Sequence, residues 1–192
     1  MNTVEPIRDK KQIDAVKKYF LGSGNIRDYA LFVVGINTGL RIADLLELKW
    51  KDVLTEKKKF KKAISIREKK TSKEKRFPIN ENAQEALRRT LKEFNTDLDY
   101  NCPIFISRNG NKKPLSRYQA WRSIKTVCAA VGVNENVGTH TLRKTWGYWA
   151  WKSGIPLPII MEVLNHSSIA VTKRYLGITQ DEINKAYMEL NL

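Results

Sequence analysis

With two cysteines and two histidines in 192 residues, the chain is poor in the side chains that build disulfide frameworks and zinc sites. Cys102 and Cys128 stand outside any CxxC pair, with no His or Cys at ligand spacing, so neither is expected to hold a metal. No apolar run approaches the roughly 20 residues that cross a bilayer, and no apolar signal segment opens the sequence. Export and membrane insertion are therefore not expected, and a reducing cytoplasm is. There is no internal repeat and no long Pro, Gly or Ser linker, which at this length points to one domain over residues 1–192. Negative charge is scarce as well: 20 Asp and Glu face 35 Lys and Arg, a formal net charge of +15. Such an excess attracts polyanions, nucleic acid before anionic membrane surfaces, through contacts that weaken steeply with salt.

What is present reads as helices around one small sheet. Ile13, Val16 and Phe20 recur at helical spacing and Gly22 to Gly24 end the run. Tyr29 to Ile36 is a second apolar stretch, broken at Thr38-Gly39, and a third helix is expected from about Leu40 to Leu48. After the basic run Lys57 to Lys62 the period changes to two: Ile64 and Ile66 face one way, Ser65 and Arg67 the other. The polar run Lys70 to Glu74 reads as a turn and Lys75 to Ile79 as the returning strand, a basic β-hairpin with Pro78 at an edge. Asn80 caps a helix carrying Ala83, Leu87, Leu91 and Phe94 on one face. Further helices are expected over Tyr118–Val131, from His140 to Ser153 with Thr139 as cap, at about Pro158–Leu164 and at Ser168–Tyr175. The fold class is α+β, mainly α, with one small antiparallel sheet.

Three segments bear candidate chemistry. In His140-Thr-Leu-Arg143 the two functional side chains share a helical face near an N-terminus, where a phosphate would meet an imidazole, a guanidinium and free N–H groups. His166 lies nine residues before Tyr175, whose neighbours Lys173 and Arg174 favour ionisation of a phenol that ordinarily titrates near 10. Arg41 opens a helix with Asp44 one turn on, placed to hold its guanidinium. Taken singly, each has a bland reading: a surface His beside an Arg, a Tyr at a helix end, an intrahelical ion pair of about 0.2–0.5 kcal/mol.

Taken together, the order and spacing resemble the tyrosine recombinases, the group that includes phage integrases and Xer-type resolvases. Thr38-Gly-Leu-Arg41-Ile-Ala-Asp44 is similar to their first arginine box, Lys69-Lys70-Thr71 to their lysine segment, His140-Thr-Leu-Arg143 to their HxxR, and Leu164-Asn-His166 with Tyr175 to their LGH…Y box. Asn165 stands where the family usually has Gly, a residue that also tolerates left-handed backbone. The resemblance implies a helical recombinase catalytic domain without the family's N-terminal core-binding domain. It implies double-stranded DNA as partner, in the setting of a mobile element, and type IB strand transfer that needs no cofactor and no metal. Tyr175 would attack the scissile phosphate to give a 3′-phosphotyrosine and a 5′-hydroxyl. Arg41 and Arg143 would clamp nonbridging oxygens, with Asp44 orienting Arg41. Lys70 would protonate the leaving oxygen, with Lys69 and Lys73 as rivals. His140 would take the phenol proton and His166 would hydrogen-bond the phosphate. Lys69, Lys73, Lys75, Arg76, Lys144, Lys173 and Arg174 would contact DNA. Two other functions remain open on sequence grounds, a DNA-binding regulator that does not recombine and a DNA-relaxing topoisomerase of the same chemistry.

Beyond Tyr175, Thr179 and Glu182 match a capping box, and Ile183, Ala186, Tyr187 and Leu190 fall on one helical face. A helix this short does not hold alone in water. It is expected to fold back in a free monomer and, as in related recombinases, to pass between protomers of a tetramer on DNA, with Gly177 as hinge.

Overall fold

The computed structural model describes residues 4–93, 98–108, 112–178, 184 and 187–189. Those residues form nine helices and one two-stranded sheet, grouped in two compact units, residues 1–146 and 147–192.

In the first unit, α1 (Lys10–Gly22) starts where the Asp9 carboxylate accepts the Lys11 N–H, and buries Ile13, Val16 and Phe20, the periodic positions of the sequence. Helix α2 (Ile26–Thr38) is apolar on nearly every side and packs against α1, α5 (Glu81–Glu93) and α6 (Arg117–Ala130). It ends at Gly39, whose φ of 61° is left-handed; a Cβ there would come within 2.9 Å of the Trp146 ring. The third helix, α3 (Ile42–Leu46), is shorter than expected, because Leu40 precedes it outside helix and Arg41 is its extended N-cap residue. Leu48 instead accepts the Ile104 N–H through its carbonyl. A one-turn helix, α4 (Trp50–Val53), was not legible in the hydrophobic period; the Asp52 carboxylate accepts the Lys49 N–H at its start. Fully buried Trp50, Phe20, Phe32, Phe105 and Leu31 lie at the centre of this unit.

The basic run becomes a tight turn with Lys58 at φ 57°, closed by a bridge between Leu54 and Phe60. Strands β1 (Ile64–Arg67) and β2 (Glu74–Phe77) then pair antiparallel, with Ile64 opposite Phe77, Ile66 opposite Lys75 and Arg67 opposite Glu74. The return strand begins one residue earlier than expected and Pro78 falls just beyond it, where its missing N–H is not required. Asn80 Oδ1 accepts the Ala83 N–H and starts α5, as expected; Phe94 lies outside the described residues. Ser116 and Gln119 form a reciprocal capping box for α6.

Helix α7 (Thr141–Lys152) begins where the His140 carbonyl accepts the Lys144 N–H. In the second unit α8 (Leu157–Val163) and α9 (Ile169–Leu176) pack together, and Gly147 leaves room for Leu176, whose methyl would lie 2.8 Å from an added Cβ. Ser168 caps α9 by accepting the Val171 N–H, and Gly177, at φ 72°, ends it. Of the C-terminal segment, Thr179, Glu182, Ile183, Ala186 and Leu190 lie outside the described residues. No described helix is long and apolar enough to cross a membrane.

Candidate active site

In the first unit, Arg41 and Arg143 are brought to one stretch of backbone. Arg143, only 3 % exposed, donates from Nη1 to the Gly39 carbonyl at 2.7 Å, across 104 residues of sequence. Gly39 is two residues before Arg41, so the left-handed turn that ends α2 also anchors the second guanidinium. Two planar forks at one place can grip an anion through several directed hydrogen bonds.

The carboxylate that holds Arg41 is not the one expected. Arg41 Nη1 pairs at 2.5 Å with Glu68 Oε2, on a side chain with no exposure. Asp44, 5 % exposed, instead accepts the Lys69 N–H at Oδ1, 2.9 Å away. The expectation that Asp44 orients Arg41 is thereby corrected. The start of α3 turns the Asp44 carboxylate toward the hairpin backbone, and the hairpin returns a different acid to the arginine. Glu68 Oε2 also accepts the Thr71 hydroxyl at 2.7 Å, while the Glu68 N–H donates to Lys73 O and its carbonyl accepts from Ser72 N–H. One acidic residue thus joins the arginine to the turn that carries Lys69, Lys70 and Lys73. Sequence reasoning missed Glu68, although a signal was there. It is the next inward position after Ile64 and Ile66, and an acid facing inward requires a cation.

The hairpin lysines divide by face. Lys69, Lys70 and Lys73 are exposed, and Lys69 forms a solvated pair with Glu47 at 2.8 Å. Lys75 is half-buried on the inner face, and its pKa falls from the ordinary range to about 8: burial disfavours the charge, Arg143 and Arg41 repel it, and Glu68 and Asp44 offset part of that. His140 is also shifted below its ordinary range, by desolvation first and then by the charges of Arg143, Lys144, Arg41 and Lys70. Both causes favour the neutral imidazole, the form able to accept a proton. Arg76 is exposed. Lys144, expected on the DNA-contacting surface, is buried at 8 % exposure under the charges of Glu5 and Arg8, because it lies on the inner side of α7.

In the second unit, the His166 and Tyr175 rings meet edge to face with centroids 4.8 Å apart. Asn165, at φ 47°, takes the left-handed conformation that asparagine tolerates. His166 Nδ1 lies 3.1 Å from Thr172 Oγ1, and that hydroxyl donates to the Ser168 carbonyl at 3.2 Å. Fully buried Thr172 therefore orients the imidazole one turn before the phenol, a role not read from the sequence. Lys173 and Arg174 are exposed on the same helix. Neither cysteine has thiolate character: burial pushes Cys128 up to about 12 and raises Cys102. Among the described residues no group of three or more His, Cys, Asp or Glu is placed to hold a metal ion.

A mainly helical fold with a two-stranded sheet, carrying this arginine pair and this His–Tyr ring contact, is the catalytic-domain fold of the tyrosine recombinases. The chain belongs to the phage integrase family, whose profile matches residues 8–182. It is 40 % identical over 187 residues to the probable integrase/recombinase YoeC of Bacillus subtilis (strain 168), covering 97 % of each chain. It is 29 % identical over 184 residues to tyrosine recombinase XerA of Pyrococcus furiosus, covering 95 % of this chain and 59 % of XerA. The crystal structure of XerH site-specific recombinase bound to palindromic difH substrate, a post-cleavage complex, superposes with a TM-score of 0.75 at 18 % identity, over 98 % of this chain and 54 % of XerH. The chain thus spans nearly all of YoeC but only somewhat more than half of XerA and XerH.

Proposed function

We infer that this chain is a site-specific DNA recombinase, cutting and rejoining double-stranded DNA through a covalent tyrosine intermediate. The observation that carries this reading is the buried anchoring of Arg143 to Gly39, two residues from Arg41. A structural arginine does not need a second guanidinium held beside it, whereas a phosphoryl-transfer site does, to neutralise charge on the nonbridging oxygens as the transition state forms.

In the proposed reaction Tyr175 Oη attacks phosphorus as the bond to the 5′-oxygen breaks. The phenol proton passes to His140, whose neutral form is favoured by desolvation and by the neighbouring cations. Lys70 returns a proton to the departing 5′-oxygen, His166 hydrogen-bonds the phosphate, and reversal with a new 5′-hydroxyl rejoins the strand. The phosphodiester energy is kept in the phosphotyrosine, so no nucleotide cofactor is required. Glu68 orients Arg41, and Asp44 fixes the hairpin through the Lys69 amide. Lys69, Lys73, Arg76, Lys173 and Arg174 contact the DNA backbone, where each such contact adds to the salt dependence. We assign the protein to the cytoplasm, as a monomer when free and as a tetramer on DNA with exchange of the C-terminal tail.

The test is a search for SDS-stable protein–DNA adducts after incubation with a nicked duplex library, followed by sequencing of the attached ends. Adducts linked through Tyr175 to 3′-phosphates are expected. Tight duplex binding with no adduct on any sequence would leave a DNA-binding regulator in place of a recombinase.

A further inference from the structure

The basic run Lys57 to Lys62 takes no part in the reaction above. A block of like charges ordinarily stays a solvated, unfolded stretch, because its members repel one another. Here it is folded into the turn between α4 and β1 and pinned there. The Thr55 N–H donates to the Lys59 carbonyl at 2.8 Å, the Lys58 N–H to the Thr55 carbonyl at 2.9 Å and the Lys61 N–H to the Val53 carbonyl at 2.9 Å. The Thr55 hydroxyl accepts the Lys59 N–H at 3.2 Å, and from outside the turn the Tyr100 hydroxyl donates to the Glu56 carbonyl at 3.2 Å. Turn and helix end line an open cleft of about 910 Å³, too wide for a single ion, with Lys51, Lys57, Lys59, Lys61 and Lys62 against one acid, Glu56. All but Lys61 are exposed, as is Lys58. Lys17, Lys69 and Lys112 have Asp14, Glu47 and Asp99 beside them, whereas among the described residues no carboxylate pairs with any lysine of this turn.

We propose that this lysine turn is a second DNA-contacting surface, binding the sugar–phosphate backbone of duplex DNA at phosphates other than the one held by Arg41 and Arg143. What the cleft lacks selects that partner. None of the large exposed apolar side chains among the described residues lies on it, and protein interfaces are built on such anchors and are poor in lysine. Stacking of unpaired bases asks for exposed ring faces. Phe60 is half-buried with the Arg88 guanidinium 5.2 Å from its ring centroid, and Tyr100 is half-buried with its hydroxyl in the turn. Charge fixed in place is what remains, and a regular phosphate backbone is the polyanion that needs nothing more. The turn precedes β1 and the Glu68 to Lys73 turn follows it, so the four residues of the strand put about 10 Å or more between the two. One phosphate cannot meet both. The proposal rests on the recombinase reading only in taking duplex DNA as the polyanion.

Salt dependence tests it without requiring cleavage. Binding of the full chain carrying Tyr175→Phe to a random-sequence duplex is followed by fluorescence anisotropy over a range of salt concentrations. Adding Lys57→Gln, Lys59→Gln and Lys62→Gln together should flatten the slope of log affinity against log salt by about 2 to 3, since each lost phosphate contact removes roughly 0.9. Lys11→Gln, Lys18→Gln and Lys113→Gln, three exposed lysines outside the turn, remove the same net charge and should leave the slope close to that of the parent. Equal flattening in both triple variants, or none in the first, overturns the proposal. Contact is read directly from Lys57→Cys carrying a photoreactive label, because Cys102 and Cys128 are buried and leave one reactive thiol. Crosslinks to duplex that vanish at high salt are expected, and a bound duplex that gives no crosslink also overturns the assignment. Adduct formation by the unsubstituted chain is scored separately, so a chain that binds duplex through this turn and makes no adduct loses the recombinase reading and keeps the second surface.

Discussion

The two units hold their functional side chains by different means. In residues 1–146 the ties are long-range: Arg143 to the Gly39 carbonyl across 104 residues, Asp44 to the Lys69 amide across 25, and Arg41 to Glu68. In residues 147–192 they are local: Ser168 caps α9, and Thr172 sits six residues from the His166 ring that it orients. The clamp arginines and their acids are buried or nearly so, whereas Tyr175, on a two-turn helix, and His166, in the turn before it, are half-buried. A phosphate clamp gains from being fixed in advance, since donors that need no reorganisation stabilise transition-state charge most. A nucleophile must become a covalent DNA ligand and be released again. A site carried by one short helix, with its partners within that helix and the turn before it, keeps its geometry through that change.

The sharpest way to break this contrast is at the proposed nucleophile. Tyr175→Phe removes one oxygen from a locally built element, so covalent adducts should disappear entirely while duplex affinity, measured by fluorescence anisotropy, stays within about twofold. Adducts surviving in this variant would move the nucleophile to another tyrosine, with Tyr148 and Tyr187 next to be replaced.

Next in size are the clamp substitutions. Arg41→Lys and Arg143→Lys keep the charge and lose the fork, so single-turnover cleavage should fall roughly 10²- to 10³-fold with far smaller changes in affinity. Equal losses in both quantities would reduce the pair to backbone binding. Arg143→Lys also removes the tie to Gly39, and its melting temperature should drop more than that of Arg41→Lys.

The two acids should then separate. Glu68→Ala leaves a nearly buried guanidinium without its counter-charge, a loss of up to about 3 kcal/mol, and should slow cleavage by misplacing Arg41. Asp44→Asn keeps an oxygen for the Lys69 amide, so both its stability and its rate should stay close to the parent. Chemical denaturation with parallel cleavage assays measures this, and a larger effect at Asp44 would restore it as the orienting acid.

Smaller effects are expected where ties are local or titrate. Thr172→Val, isosteric but without the hydroxyl, should cost about 1 kcal/mol and a few-fold in cleavage. For His140 the folded pKa lies below the unfolded one. The unfolded chain therefore takes up the proton first as pH falls, and stability is lost on acidification from the ordinary histidine range downward. Cleavage should fall over the same interval as the base is protonated. His140→Gln should flatten the stability change, and a slope unaltered by that substitution would place the titration elsewhere.

Much of this is legible in the sequence. Ile13, Val16 and Phe20 on α1, the alternation of Ile64 and Ile66, the Asn80 cap and the left-handed turn at Asn165 are encoded within a few residues, where side-chain period and backbone preference act directly. The same holds for His166 and Tyr175, which spacing alone brings to adjoining turns. The short span of α3 and the one-turn α4 were not legible, since neighbouring segments compete for the same backbone groups there. Sequence also could not distinguish Asp44 from Glu68 as the partner of Arg41, nor Lys75 from the other hairpin lysines, nor find that Lys144 turns inward. A side chain's partner across 27 or 104 residues depends on which faces the packed core leaves open, and burial then selects the acid that must neutralise a cation. The sequence by itself determined most of the elements, the basic character and the residues proposed for the chemistry. Tertiary structure alone decided which of those residues hold one another, because desolvation, the force that makes a pairing obligatory, exists only once the chain has folded around it.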